Sequence, residues 1–216
     1  MIITCIAHAM FLLELENGMR IVTDPVDTAS GYPVEPVSAD VALVSHHHHD
    51  HCALENAPGA QVIDTAGLHT LATDVKVTAL SAYHDDVRGA QRGETLLFLL
   101  EAEGLRVAHL GDLGHLPTAA QVAALAPVDV LISPVGGHFT IDAAQARQAA
   151  TLLGARTILP MHYRTAYTAD WPIAPAEDFL ALFAPEAVAR QPLLRVTQGD
   201  LCCQKEVCLL TPRLHA

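Results

Sequence analysis

Apolar positions along this chain come in short blocks, most of four to six residues, separated by Gly, Pro, Asn or Asp. Few of the blocks carry the 3.6-residue period of a long helix. Residues 2–6, 11–16 and 20–24 read as three strands, with Asn17-Gly18 as the hairpin signal between the second and third. Residues 26–40 carry Gly31, Pro33 and Pro36 without periodicity and read as a long loop, placed to wall a cleft. Strands are then expected at 41–45 and 61–63, a weakly amphipathic stretch at 66–72, and an alternating strand at 75–79 that delivers Tyr83-His84 at its end. A hairpin follows, 95–101 and 105–109, turning at Glu103-Gly104. Thr118 and Gln121 have the spacing of a capping box. Further strands fall at 129–133 and 157–159, and helices at 142–153, closed by Gly154, and at 175–183. Residues 193–210 read as strand-like and close the sheet.

This pattern gives β-rich halves with helices attached to each, and one polar stretch stands out against it. The apolar run Val41-Ala42-Leu43-Val44 leads into Ser45 and then His46-His47-His48-His49-Asp50-His51. Six polar side chains in a row cannot all face a core, and imidazoles are costly to desolvate. An affinity tag would sit at a terminus, whereas this run lies deep in the chain after a buried strand. Metal binding gives the run a purpose, because neutral imidazole and carboxylate are metal donors. In an extended turn His46 and His48 project to one side and can share an ion, while Asp50 and His51 begin the next element and can reach a second. Asp24, ending the third strand, reads as structural or as orienting a ligand imidazole.

Composition narrows the classes of function. At 216 residues, with 51% hydrophobic and 17% charged, the chain fits one domain, 1–216, with a thick layered core. A formal charge of −12 argues against nucleic acid or anionic membrane as a partner. No apolar run reaches the roughly 18 residues of a membrane span, and Met1–Cys5 lacks a basic leader, so a cytoplasmic location is expected. The five cysteines (5, 52, 202, 203 and 208) include no Cys-x-x-Cys pair and are expected as reduced, buried thiols. Cys52 adjoins the metal motif and is a candidate neighbour of it. No Gly-x-Ser-x-Gly is present, which disfavours a serine hydrolase.

Ser45 through His51, followed in order by Tyr83-His84-Asp85-Asp86, Leu110-Gly111-Asp112-Leu113-Gly114 and Pro160-Met161-His162-Tyr163, resembles the metallo-β-lactamase superfamily of metal-dependent hydrolases. Ile6-Ala7-His8-Ala9 and Pro134 through Thr140 resemble the branch related to the ascorbate-phosphate lactonase. The resemblance implies an α/β fold, an αβ/βα four-layer sandwich. It also implies two divalent ions, zinc first and manganese or iron as alternatives. His46, His48 and His84 would hold one, Asp50, His51 and His162 the other, with Asp112 bridging. A hydroxide shared by the ions would be the nucleophile, with Asp50 and Asp112 as the catalytic carboxylates and Asp50 relaying a proton. The substrate would be a small ester, lactone, amide or phosphodiester, with an anionic group as one option. His138, Arg164, Tyr163 and Arg92 are the candidate substrate contacts, and His8 is either near the cleft or structural. Two departures bear on the cleft: Ala7 stands where glycine commonly precedes the early histidine, and Leu113 where threonine is common. Members of the family that are di-iron redox proteins carry a glutamate where this chain has His48 or His49, which sets them apart. A non-catalytic metal-binding protein is the alternative reading, and a homo-oligomer stays open.

Overall fold

A computed structural model describes residues 1–213. The strands are β1 (Ile2–Ala7), β2 (Met10–Glu14), β3 (Arg20–Thr23), β4 (Val41–Leu43), β5 (Gln61–Ile63), β6 (Gly67–Ala72), β7 (Val75–Tyr83), β8 (Glu94–Ala102), β9 (Leu105–His109), β10 (Val130–Pro134), β11 (Thr157–Met161), β12 (Val188–Gln191), β13 (Leu194–Arg195) and β14 (Val207–Leu210). Three α-helices accompany them: α1 (Ala119–Leu125), α2 (Ala143–Leu152) and α3 (Ala176–Leu180). They form a six-stranded sheet in the order β13-β1-β2-β3-β4-β5 and an eight-stranded sheet in the order β12-β14-β11-β10-β9-β8-β7-β6.

Side-chain alternation along the strands builds the layers. In β8, Leu96, Phe98 and Leu100 point between the sheets and meet Phe11, Leu13 and Ile21. Leu97 and Leu99 point the other way and join Leu125, Ala146, Ala149 and Phe179 from the helices. That two-sided burial explains why β8 reads as an unbroken apolar run. The outer face of the first sheet is covered differently. Ile6, Met10, Leu12 and Val22 lie under Val26, Tyr32, Val34 and Val37 of the long loop, so the outer layer here is irregular chain with short 3₁₀ turns.

Local signals largely translate. The Thr118 capping box closes both of its hydrogen bonds, and Asp142 with Gln145 makes a second one at the start of α2. The Glu103-Gly104 turn has φ of 57° and 71°, the paired left-handed geometry of a tight hairpin. Three expectations change. Residues 67–72 form an edge strand, because β7 offers them an unpaired ladder, and Leu68 stays 66% exposed there. The stretch 193–210 serves both sheets: β13 pairs with β1, and β14 pairs with β11 and β12. Cys202 is exposed, whereas Cys5 and Cys208 are buried; the Cys203 side chain lies outside the described residues. Among the described residues no helix is long and apolar enough to cross a membrane.

Candidate metal centre

Strand ends from both sheets converge at one edge of the sandwich. β4 leads into Ser45-His46, β7 into His84, β9 into Leu110-Gly111-Asp112, β11 into His162, and β1 into His8. The loops must approach closely to do this. A Cβ on Gly111 would lie 2.6 Å from Leu96 O and 2.8 Å from Ser45 Cβ, and its φ is +48°. A Cβ on Gly114 would fall 2.2 Å from the backbone nitrogen of Asp85. Any side chain at either position would push the Asp112 loop off the histidine motif or off His84.

Asp24 is the hub beneath the motif. It is fully buried at φ +38°; its Oδ1 accepts from Ser45 N (2.7 Å), and its Oδ2 from Ser45 Oγ (2.8 Å) and His51 Nδ1 (2.9 Å). Ser45 Oγ in turn sits 2.9 Å from His46 Nδ1. One carboxylate therefore sets both ring orientations and leaves Nε2 of His46 and His51 facing inward. His109 fixes the next loop: Gly111 N donates to its Nδ1 (3.1 Å), so its Nε2 carries the proton that Ala9 O accepts (3.2 Å).

Asp112 lies at the centre. Its Oδ2 is 3.1 Å from His84 Nε2, 3.2 Å from His162 Nε2 and 3.9 Å from His46 Nε2, while Oδ1 is 3.3 Å from His51 Nε2. Three sets of donor atoms are close enough to share an ion: His46, His48 and His84; His46, His51 and Asp112; and His8, Asp50, His51 and His162. The seven residues expected as ligands are thus brought together, and His8 joins them. Cys52 is in none of the sets, and burial pushes its thiol up, away from the thiolate a metal needs.

The electrostatics fit cations. Asp112 is held well below the usual carboxylate range: burial opposes ionisation, but His162 and His51 outweigh it. Asp50 is likewise held low by His8 and His51 against the effect of burial. Burial would push His51 down, yet Asp112 and Asp24 hold it well above the ordinary imidazole range. His46 is pushed down to about 3, chiefly by burial and then by His51. Among the buried side-chain atoms without a hydrogen-bond partner are His51 Nε2, Asp112 Oδ1 and both ring nitrogens of His8. Orphaned buried donors and acceptors cost roughly 1–3 kcal/mol each, and divalent ions would engage His51 Nε2, Asp112 Oδ1 and one of the two His8 nitrogens. The residues present fit metal.

A cavity of about 500 Å³ opens onto the centre, lined by His48, Asp50, His84, Asp112 and His162 on its floor, and by Ala29, His49, Phe139, Asp170, Trp171 and Pro172 on its walls. The long loop does wall the cleft, through Ala29. The four expected substrate contacts do not line it. Tyr163 packs into the helix-side core, where burial pushes its hydroxyl up. Arg164 is exposed, with its backbone N–H donating to Ala174 O. His138 is exposed with its ring against Phe139, and the Arg92 guanidinium rides over that same Phe139 ring at 5.6 Å. Ala7 and Leu113 are core residues and do not shape the cleft. Trp171, the lone tryptophan, is the wall residue that pattern reading passes over; its 166–174 surroundings have no periodicity to flag it.

The 87–94 loop, which carries Arg92, is fastened from within. Asp85 accepts four backbone N–H bonds, from Val87 (2.9 Å), Gly89 (2.7 Å), Gln91 (2.9 Å) and Arg92 (2.8 Å). Its neighbour Asp86 is exposed.

Comparison with known proteins agrees with this geometry. Residues 2–162 match the family model described as β-lactamase superfamily domain. A UPF0173 metal-dependent hydrolase of Carboxydothermus hydrogenoformans is 32% identical over 81% of this chain and 88% of its own length. One from Pyrococcus furiosus is 29% identical over 86% and 93%. A crystal structure from Thermotoga maritima, named as a Zn-dependent hydrolase of the metallo-β-lactamase superfamily, superposes with a TM-score of 0.78 at 37% identity, covering 97% of each chain. The chain belongs to the metallo-β-lactamase superfamily and is one of its metal-dependent hydrolases.

Proposed function

We propose that this protein is a two-metal hydrolase of a small, uncharged ester, lactone or amide with an apolar portion. The observation that carries the reading is the convergence of seven donor residues and their unpartnered buried atoms at the floor of a half-apolar cavity. His46, His48 and His84 would hold one ion, Asp50, His51 and His162 the other, and Asp112, facing both groups, would bridge. Bound there, a divalent pair supplies an activated water near neutral pH and polarises the carbonyl to be attacked. Zinc suits this nitrogen-rich set, and manganese or iron is accommodated by the same donors.

The chain's own residues do the rest. Trp171, Phe139 and Pro172 offer a flat apolar wall for the acyl or leaving group. No Lys or Arg is among the described residues lining the cavity, and Asp170 on the wall repels an anionic substituent away from the metals. This favours a neutral substrate over a phosphomonoester. The Asp50 carboxylate, ionised and reaching the cavity floor, is placed to take up a proton and pass it to the leaving group. Storing an ion would require neither the cavity nor its aromatic wall, which sets the non-catalytic alternative aside.

Metal content per chain after purification without chelator, paired with a substrate panel, tests this. About two equivalents and chelator-sensitive turnover of a neutral aryl ester or lactone are expected, with Trp171→Ala raising KM about tenfold and leaving metal content unchanged. Preference for a phosphomonoester, or turnover indifferent to chelator, would overturn the substrate class or the metal role respectively.

A further inference from the structure

His8 is a histidine with no ordinary explanation. Its side chain is 0% exposed, and neither ring nitrogen has a hydrogen-bond partner. A structural histidine normally donates from one nitrogen and accepts at the other, as His109 does. The backbone at His8 is also held at φ +52°, a left-handed conformation costing about 1–3 kcal/mol for a non-glycine residue. His162, whose ring centroid is 4.2 Å away, is held the same way at φ +51°. Burial, unpaired nitrogens and strain persist together only where something compensates them.

A substrate contact does not account for it. His8 is not among the residues lining the cavity, and Trp171, edge-on at 5.3 Å, and Tyr32, at 6.0 Å, flank it. What His8 does reach is the inner part of the metal centre. Its Nε2 is 3.6 Å from Asp50 Oδ2, and its donor atom lies within 4.8 Å of those of Asp50, His51 and His162. Asp50 Oδ2 is itself 3.7 Å from His51 Nε2. Spacings of this size separate donors that share one ion with metal–ligand distances of about 2.0–2.2 Å.

We infer that His8 is a further metal donor, completing a four-residue set with Asp50, His51 and His162 at the second position. The inference rests on the two-metal reading above and makes the halves unequal, with a second position richer in protein donors than the first. A richer donor set holds its ion more tightly and leaves fewer places for water or substrate. The first position, with fewer protein donors and the exposed His48, is then where the substrate's carbonyl docks.

Co²⁺ titration of the intact, metal-free protein tests this, read by calorimetry and by visible absorption, which report binding without turnover. The variants are His8→Asn and His8→Gly, both of which tolerate a positive φ and so remove the ring while sparing the backbone. Two equivalents are expected in wild type. In both variants the first is unchanged, and the second is lost or weakened at least about tenfold with an altered absorption band. Two equivalents with wild-type affinity and spectrum in both variants would overturn the inference. If wild type itself takes up one equivalent, the two-metal reading fails on its own, and His8 is decided by whether that equivalent survives in the variants. Should neither variant fold, the proton spectrum of the wild-type Co²⁺ protein decides: paramagnetically shifted imidazole resonances from His8, His46, His48, His51, His84 and His162 support the inference, and the same set short by one imidazole overturns it.

Discussion

The two halves of the metal centre are built by opposite routes. His46 and His48 come from one local motif, with His84 added from a neighbouring strand end, and His48 opens to the cavity. His8, Asp50, His51 and His162 come from three distant parts of the chain and are buried, with Asp50 and His162 reaching the same cavity floor. Their electrostatics differ as well. Burial pushes His46 down to about 3 and lowers His48, so these two imidazoles of the first half favour the neutral form that takes an ion. In the second half, Asp24 and Asp112 hold His51 charged, and an arriving ion has to displace that proton. Alternate histidines in one turn bring two donors to the open site, whereas the closed one gathers its donors from three separate segments, with left-handed backbone at His8 and His162.

The largest effect should come from removing the residue that serves both halves. Asp112→Ala is expected to cut turnover by about 10³-fold or more and metal content from about two equivalents to one or none. Metal analysis and chelator-controlled kinetics check it, and two retained equivalents would break the bridging role. Asp24→Asn should act on both halves less severely. An amide nitrogen in place of Oδ2 takes the acceptor from both Ser45 Oγ and His51 Nδ1, and in place of Oδ1 it faces the Ser45 N–H, so either orientation costs the motif an anchor, and metal affinity should fall about 10–100-fold with the fold intact. A loss confined to one equivalent would show that Ser45 does not transmit the orientation to His46.

Acidification separates the buried histidines of the metal-free protein by the sign of their contribution. His8 at about 4 and His46 at about 3 remain neutral in the folded chain while their unfolded counterparts, near 6.5, take up protons. Stability from these two therefore drops between pH 6.5 and about 4, at about 1.4 kcal/mol per pH unit for each proton the unfolded state binds in excess. His51 has the opposite sign: its raised folded value contributes stability that is full below pH 6.5 and is lost as pH rises through that value. Denaturant unfolding of chelated protein across pH 4–9 should give a slope in acid that His46→Gln flattens and an alkaline slope that His51→Gln removes.

Much of this arrangement is legible in the sequence, and the reason is local. His46 through His51 announces itself because no core or solvated strand end requires it, and the strand ends carrying His84, Asp112 and His162 follow from alternation and from the family resemblance. The second half's fourth donor was open between two readings, because nothing in Ile6-Ala7-His8-Ala9 signals a left-handed backbone at a histidine; the fold imposes it. The cavity wall was less legible still. Arg92 reads as a candidate substrate contact, but Asp85 fastens its loop and Arg92 turns onto Phe139, while Trp171 enters the cavity from a segment without period. Ligands follow from residue chemistry, but walls follow from where loops land.

The smallest effect sharpens the comparison most economically, because His47 and His49 sit inside the motif yet outside all three donor sets. His47 points outward, 71% exposed, with Nε2 3.5 Å from Asp64 Oδ2; an exposed pair of this kind contributes about 0–1 kcal/mol. His49 lies against Asp27 and Ser30 and lines the cavity wall. His47→Ala should leave metal content and kcat/KM unchanged within about twofold. His49→Ala should keep both metal equivalents while raising KM a few-fold, since it removes wall and not floor. Equal metal loss in His47→Ala and Asp112→Ala would mean that the alternation assigned to the motif is off by one residue, and that the open half of the centre is built from the other pair of histidines.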